Sequence, residues 1–354
     1  MPCPGTLRKS MASLEVRPGM CPRLVELFAI KTQSMTEQEK VTSVLMDEVA
    51  LRSELWYNPH TDEIEGYEDL GHLGRTNKVA THALVFMLRG IFCNWKQPLC
   101  YLLTCGPCKA VIIESFLIEV IKTTVRIGLT PKVLIADQGT NNQSLYKRLG
   151  IQPSKPYFHV GDLRIVALFD PPHLLKSIRN NFKNHGFIIN EIIISWKYIY
   201  DFYKLDSKLQ VRMARKLLLK HVILPAFSHL GVAMAAQVLS HSVATGIKTL
   251  VKQKLMPATA IPSADFCEKF DQLFNAFNSH SLTSSQTMKH ALSANSGHLV
   301  FLQTMLEWLE VVKARNKSGN LPCLSGWKLT IAGTLQVIIL NVISFSMKRH
   351  KFNT

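Results

Sequence analysis

Apolar and polar positions change period along this chain, and the changes mark its elements. VTSVLMDEVAL, residues 41–51, is an apolar run carrying Asp47 and predicts a strand. LRSELWYNPHTDEIEGYEDLG, 51–71, has the alternation and turn residues of a hairpin. THALVFMLRGIF, 81–92, predicts a third strand, with CYLLT, 100–104, as its continuation or its neighbour. AVIIESFLIEVIKTTVRIG, 110–128, takes helical spacing and closes on Gly128. PKVLIAD, 131–137, is a short continuous apolar run, as in a strand covered on both faces. NNQSLYKRLGI returns to helix, LRIVALFD is a further strand, and PHLLKSIRNNF opens a helix with proline in its first turn. Three strands, a helix, a strand, a helix, a strand and a helix imply a mixed sheet. Its first strands form an antiparallel meander and later ones enter by crossovers.

From about residue 185 the spacing becomes helical. WKYIYDFYKLD (196–206), VRMARKLLLKHVILPAF (211–227), the run through the 230s and ADFCEKFDQLFNAFNS (264–279) each repeat apolar residues every three to four positions. The expected organisation is an unstructured leader over 1–20, an α/β core over 21–184, a helical domain over 185–335 and a divergent tail over 336–354.

Composition narrows the class. With 354 residues, 47% hydrophobic and 19% charged, the chain reads as folded and globular rather than disordered. The net charge of +16 suits a polyanionic partner, nucleic acid before membrane, and equally a merely basic protein. The eight cysteines are scattered, mostly in apolar surroundings, and read as reduced thiols. Cys105 and Cys108 form a lone CxxC, half a zinc site or a redox pair, with no second CxxC or close histidine pair to complete it. Residues 329–347 are uncharged and near spanning length, but Thr330, Gly333, Thr334, Gln336 and Asn341 weaken a membrane reading, and no membrane is expected.

Candidate chemistry starts with two aspartates. Asp47 lies inside the first strand and Asp137 ends the fourth, so a sheet that pairs those strands brings the carboxylates to one edge. Two carboxylates held together repel unless a cation neutralises them, and hard oxygen ligands suit Mg²⁺ or Mn²⁺. Asp137 alternatively caps the helix that follows it.

ELWYNPHTDEIEGYEDLG, the strand with Asp47, IADQGTNNQSLYKRLGI and LFDPPHLLKSIRNNF together resemble the transposases of the P-element superfamily, including its THAP-type relatives. The resemblance spans roughly 20–335. It implies a ribonuclease-H-like α/β core with an α-helical, GTP-binding insertion, acting in metal-dependent cut-and-paste DNA transposition in the nucleus, with an oligomeric assembly conceivable. By resemblance Asp47 and Asp137 stand at the first two catalytic, metal-ligating acids. Asp170 matches a position beside the core, and the helix start PPHLLKSIRNN favours a supporting role for it near the helix's positive end. His173 either assists a metal site or is a capping or core histidine.

The departures from the family matter as well. No zinc-coordinating THAP pattern precedes the core, so sequence-specific DNA reading is not expected. No block of the kind that carries the third acid, a glutamate, follows SGWKLTIAGTLQ, so the chain is expected to lack that ligand and to be impaired as an enzyme. FDQLFNAFNS, 270–279, resembles the insertion segment that faces guanine, with Asn275 where the acid is expected and Asn278 three residues on; otherwise it is an amphipathic helix with a wet face. No glycine-rich phosphate loop is present. Lys176, Arg179, Lys183, Lys216 and Lys220 lie on expected helices, where they either track DNA phosphates or form a solvated face. A non-catalytic module that binds DNA, GTP or protein is the rival reading.

Overall fold

The computed structural model describes residues 17–59, 62–223, 231–279, 287–290, 297–317, 319 and 321–350. By its internal contacts the chain divides between Ala167 and Leu168. The first unit opens with β1 (Gly19–Met20), α1 (Pro22–Gln33) and β2 (Val41–Ala50). Four short strands follow, β3 (Trp56–Asn58), β4 (Glu63–Glu65), β5 (Tyr67–Asp69) and β6 (Arg75–Val79), and then the long β7 (His82–Gly90) and β8 (Lys96–Thr104). Helix α2 (Ala110–Arg126) leads into β9 (Thr130–Ala136), helix α3 (Thr140–Arg148) and the hairpin of β10 (Tyr157–Val160) and β11 (Leu163–Phe169).

The main sheet has nine strands in the order β10-β11-β9-β2-β7-β8-β5-β6, with β1 added beside β8. β2, β7 and β8 are an antiparallel meander, whereas β9 joins β2 in parallel. A parallel neighbour cannot be reached through a tight turn, and α2 supplies the crossover. That helix buries Ile113, Phe116, Leu117, Val120, Ile121 and Thr124 at three-to-four spacing. Burying each large apolar side chain contributes about 1.5–3 kcal/mol relative to exposure. Gly128, at φ +83°, turns the chain after the helix in a conformation that side chains other than glycine's resist.

The second unit carries α4 (Pro171–His185), β12 (Phe187–Ile189), β13 (Ile192–Ile194), α5 (Trp196–Asp206), α6 (Leu219–Val222) and α7 (Val232–Val238). It continues with α8 (His241–Lys252), α9 (Ile261–Phe277), α10 (His298–Val311), β14 (Val312–Ala314) and α11 (Pro322–His350). Its centre is aromatic: the Phe266 ring lies 5.0 Å from Phe182, 4.9 Å from Phe187 and 4.9 Å from Phe270. Among the described residues no helix is long and apolar enough to cross a membrane.

Several expectations need correction. CYLLT belongs to β8, an antiparallel neighbour of β7 rather than its continuation. The expected hairpin over 51–71 is two pairings, β3 with β4 and β5 with β6, and residues 60–61 lie outside the described part. Of the expected leader, 1–16 lie outside the described residues, while Gly19 and Met20 pair with β8. The helix expected over 211–227 is reduced to α6, with 224–227 outside the described part. The buried Asp206 carboxylate accepts the Met213 N–H at 2.6 Å and the Arg212 Nε at 3.0 Å, and Arg212 Nη2 donates to the Leu217 carbonyl at 2.6 Å. Those bonds hold the backbone in turns where side-chain spacing alone favours helix. The helical region also holds an unexpected three-stranded sheet, β13-β12-β14.

Candidate functional site

Parallel pairing of β2 with β9 ends at Met46 opposite Ala136, so Asp47 and Asp137 are the next residues out on neighbouring chain segments. Adjacent strands run about 4.8 Å apart and side chains in register share a face. The two carboxylates therefore leave the sheet together. Asp47 is exposed and still held by β7, where it pairs with Val85. Its Oδ1 accepts the Glu48 N–H at 2.9 Å.

Asp137 is half-buried and more tightly fixed. Its Oδ1 accepts the Gly139 N–H at 3.0 Å and the Asn142 amide at 2.6 Å, and the same amide reaches the Asp137 carbonyl at 3.3 Å. Among the described residues Oδ2 has no protein donor. A Cβ at position 139 would sit 3.0 Å from Oδ1, so glycine is what permits this approach. Gly139, not Asp137, occupies the N-cap of α3. Tyr146 of α3 is buried, and burial first, then the Asp137 charge, pushes its hydroxyl pKa up.

A pair of carboxylates suits Mg²⁺, which binds through one or two of them and completes its shell with water and substrate phosphate. Among the described residues no group of three or more His, Cys, Asp or Glu converges.

Glu48, whose side chain alternates to the opposite face from Asp47, accepts the Cys108 N–H at 2.7 Å. Glu68 accepts the Cys105 N–H at 3.0 Å and Thr81 the Gly106 N–H at 2.7 Å, so the CxxC loop is clipped to the sheet. Cys108 is buried, and burial, then Glu48 and Glu68, push its thiol up to about 12. Cys108 is thus a buried thiol packed under the loop, while Cys105 is exposed.

The residues expected along α4 separate by role. Asp170 is the N-cap, accepting the His173 N–H at 3.3 Å and pairing with His173 Nδ1 at 2.7 Å. Lys176 is half-buried. Arg179 is fully buried among Leu174, Leu175, Ile178 and Phe182, and is out of reach of a phosphate backbone. Lys183 donates to the Ile223 carbonyl at 2.9 Å, and burial followed by the Arg179 charge lowers its pKa.

A second constellation lies in the helical unit. A polar cavity of ≈ 430 Å³ is lined by Arg215, Lys216, Ser240, His241, Asp271 and Lys289, among others. That volume lies within the range of small-molecule sites, roughly 300–1,000 Å³. Neither Asn275 nor Asn278 lines it. Asn275 donates its amide to Asp271 Oδ2 at 2.8 Å, and Asn278 is the exposed C-cap of α9. Burial raises the Asp271 pKa, against the opposing pull of the His241 N–H and of Lys289. Sequence reading missed Asp271, although it stands four residues before Asn275 and so on the same helix face.

Comparison with known proteins follows the same division. Residues 16–150 match the family described as TNP-like, RNase H N-terminal domain, and 172–291 match TNP-like, GTP-binding insertion domain. The transposable element P transposase of Drosophila melanogaster is 24% identical over 288 residues, covering 80% of this chain and 36% of that protein. The human DNA transposase THAP9 is 25% identical over 294 residues, covering 79% and 32%. The chain thus spans about a third of the length of these relatives. The solved Drosophila P element transposase strand transfer complex matches with a TM-score of 0.83 at 22% identity, covering 98% of this chain and 75% of that one, which shows a shared fold. The chain thus carries a TNP-like RNase H N-terminal domain over 16–150 followed by a TNP-like GTP-binding insertion domain over 172–291, and its likeness to both transposases supports a transposase-derived protein.

Proposed function

We propose that the protein acts on DNA by metal-dependent phosphodiester cleavage and strand transfer, with Asp47 and Asp137 as its metal ligands. The observation that carries this is the β2–β9 register, which sets the two carboxylates side by side at the strand ends. Gly139 and Asn142 hold Asp137 Oδ1, so that Oδ2 is presented in one orientation. Bound Mg²⁺ or Mn²⁺ would supply Lewis-acid stabilisation of the phosphate oxygens and ease deprotonation of a water or 3′-hydroxyl. Asp170 and His173 brace the start of α4. Lys176 is the one cation of the expected α4 set that neither is fully buried nor donates to a carbonyl. We assign DNA backbone contact to it and to the wider excess of positive charge.

In the insertion domain we place a guanine nucleotide in the cavity, its phosphates facing Arg215, Lys216 and Lys289. The relatives' designation as transposases supports DNA as the partner and a nuclear location. A second reading, a DNA- and nucleotide-binding module without strand chemistry, is favoured by the convergence of only two acids among the described residues.

A calorimetric Mn²⁺ titration, with and without a short DNA duplex, tests the first reading on the wild-type chain, Asp47→Asn and Asp137→Asn. Each substitution is expected to weaken Mn²⁺ binding by about tenfold or more, since even outer-shell changes cost on the order of 10–100-fold. Equal titrations for all three proteins would remove the aspartates from the site and leave the second reading.

A further inference from the structure

The small sheet β13-β12-β14 has two edges, and they are finished differently. An open edge offers unpaired backbone groups to any passing strand, and proteins commonly guard it with a charge, lysine above all. β14 carries the exposed Lys313 at its centre. β13 is Ile192, Ile193 and Ile194, with no charge, proline or bulge, and Ile192 and Ile193 are 52% and 43% exposed.

The turn before β13 fixes which backbone groups face outward. Asn190 and Glu191 have positive φ, +47° and +68°, as a two-residue hairpin turn requires. The flanking pair, Ile189 with Ile192, then exchanges ladder hydrogen bonds, and the next pair, Ile188 with Ile193, does not. The Ile193 N–H and C=O therefore point away from β12. The next outward donor, the Ser195 N–H, is already taken by Ser263 Oγ at 3.0 Å. The open part of the edge is thus short and centred on Ile193.

Beside it lies a cavity of ≈ 660 Å³, lined by Ile192, Ile193 and Pro262 and by the charged Glu191, Lys197 and Arg315. Lys197 pairs with Asp201. Arg315 is exposed and has no ion pair among the described residues. An unguarded strand edge, an apolar cleft and one uncompensated guanidinium match the three parts of an extended acidic peptide. Its backbone pairs with Ile193, its alternate apolar side chains enter the cleft, and a carboxylate meets the guanidinium fork. A nucleic-acid backbone lacks the apolar side chains for this cleft, and Glu191 repels its phosphates.

We propose that β13 and this cavity form a docking site for an extended, acidic segment of a partner protein. The segment adds to the sheet as a fourth strand, with apolar residues at alternate positions and a carboxylate paired to Arg315. The proposal is independent of the metal and nucleotide readings.

The test is fluorescence anisotropy on the full chain with a labelled hexapeptide that has valine at alternate positions and aspartate at one end. Replacing the peptide's aspartate by asparagine should weaken binding by about tenfold, the scale of a hydrogen bond to a charged group. That difference should vanish in Arg315→Ala, whose substituted side chain is exposed. N-methylation of one alternate set of peptide amides removes the donors that face the edge while keeping every side chain, and should abolish binding. Methylation of the other set should leave it largely intact.

No binding of the peptide by the folded chain, or equal effects of the two methylation sets, would overturn strand addition. An aspartate effect that persists in Arg315→Ala would overturn the charge assignment. Displacement of the peptide by a short DNA duplex, or a chain dimer that the peptide dissociates, would give the site to nucleic acid or to a second copy and overturn the partner assigned here. The methylation comparison needs no variant and decides the matter even where Arg315→Ala fails to fold.

Discussion

Replacing Gly246 by alanine gives a sharp prediction because two effects of opposite sign can be weighed from the geometry. Gly246 is buried within α8 against Phe202 of α5, itself fully buried. An added Cβ would lie 2.4 Å from Phe202 Cζ and 2.5 Å from Cε2, well inside the 3.4 Å at which ordinary contact begins. In a helix interior glycine to alanine is intrinsically stabilising by about 1 kcal/mol. Overpacking a filled core costs about 1–3 kcal/mol, and an overlap this deep falls toward the upper end. The net expectation for Gly246→Ala is a loss of about 1–2 kcal/mol, read as a lowered midpoint in urea unfolding followed by far-UV circular dichroism. Phe202→Leu removes the obstructing ring atoms. In that background the same alanine should raise the midpoint, by up to about 1 kcal/mol. A midpoint that rises with Gly246→Ala alone, or an effect of equal sign in both backgrounds, would refute the packing account. Ser240, the N-cap of α8, and His241, its first residue, line the cavity in which we propose a guanine nucleotide, and on that reading the same variant should weaken GTP binding as well.

Two further predictions concern buried polar groups in the same unit. Asp206→Ala strips Arg212 and the Met213 N–H of their shared acceptor, and should destabilise by about 3–5 kcal/mol in chemical unfolding; a loss below about 1 kcal/mol would mean the 206–218 turns are held otherwise. His221 is buried and its Nδ1 accepts the Leu218 N–H at 3.1 Å, which requires the neutral ring. Burial, then Lys220 and Arg179, depress its pKa below 6.5. Since the unfolded chain takes up the proton first, this contribution is intact above 6.5 and is lost as pH falls below it. Thermal melts should show wild type losing stability below about pH 6.5 more steeply than His221→Gln, and parallel curves would remove His221 as the cause.

What the sequence disclosed depended on the length and regularity of each element. β2, β9, α2 and α4 are long runs of one period, and their positions were legible to within a few residues. β12, β13 and β14 have three residues each, too few to display a period, and β14 finds its partner across more than a hundred positions. The turns after α5 are dictated by the Asp206 carboxylate, which no spacing rule weighs. Asp47 and Asp137 were conspicuous as charges in or ending apolar strands, and each directly follows the last β2–β9 pair, Met46 opposite Ala136. Arg179 was readable and misread: with Leu174, Leu175, Ile178 and Phe182 it completes the inward stripe of α4. Asp271 was overshadowed by the asparagines that follow it, because a sequence comparison weighs aligned positions and the cavity lining is set by which helix turn faces inward.

The small sheet has a consequence for how such a chain can change over time. β14 lies directly against β12, with Ile188 opposite Lys313, and the Arg315 N–H donates to the Gly186 carbonyl at 3.1 Å. Everything from β13 through α10 therefore leaves and returns through a gate about 5 Å wide, the spacing of two paired strands. Helices α4 and α11, which pack together outside that gate, meet the same entry and exit points whatever is threaded between them. Lengthening such an excursion raises its closure entropy only with the logarithm of its length. A lineage can remodel, enlarge or exchange the inserted segment while the helices that flank it keep their places, much as a socket outlasts the fittings put into it.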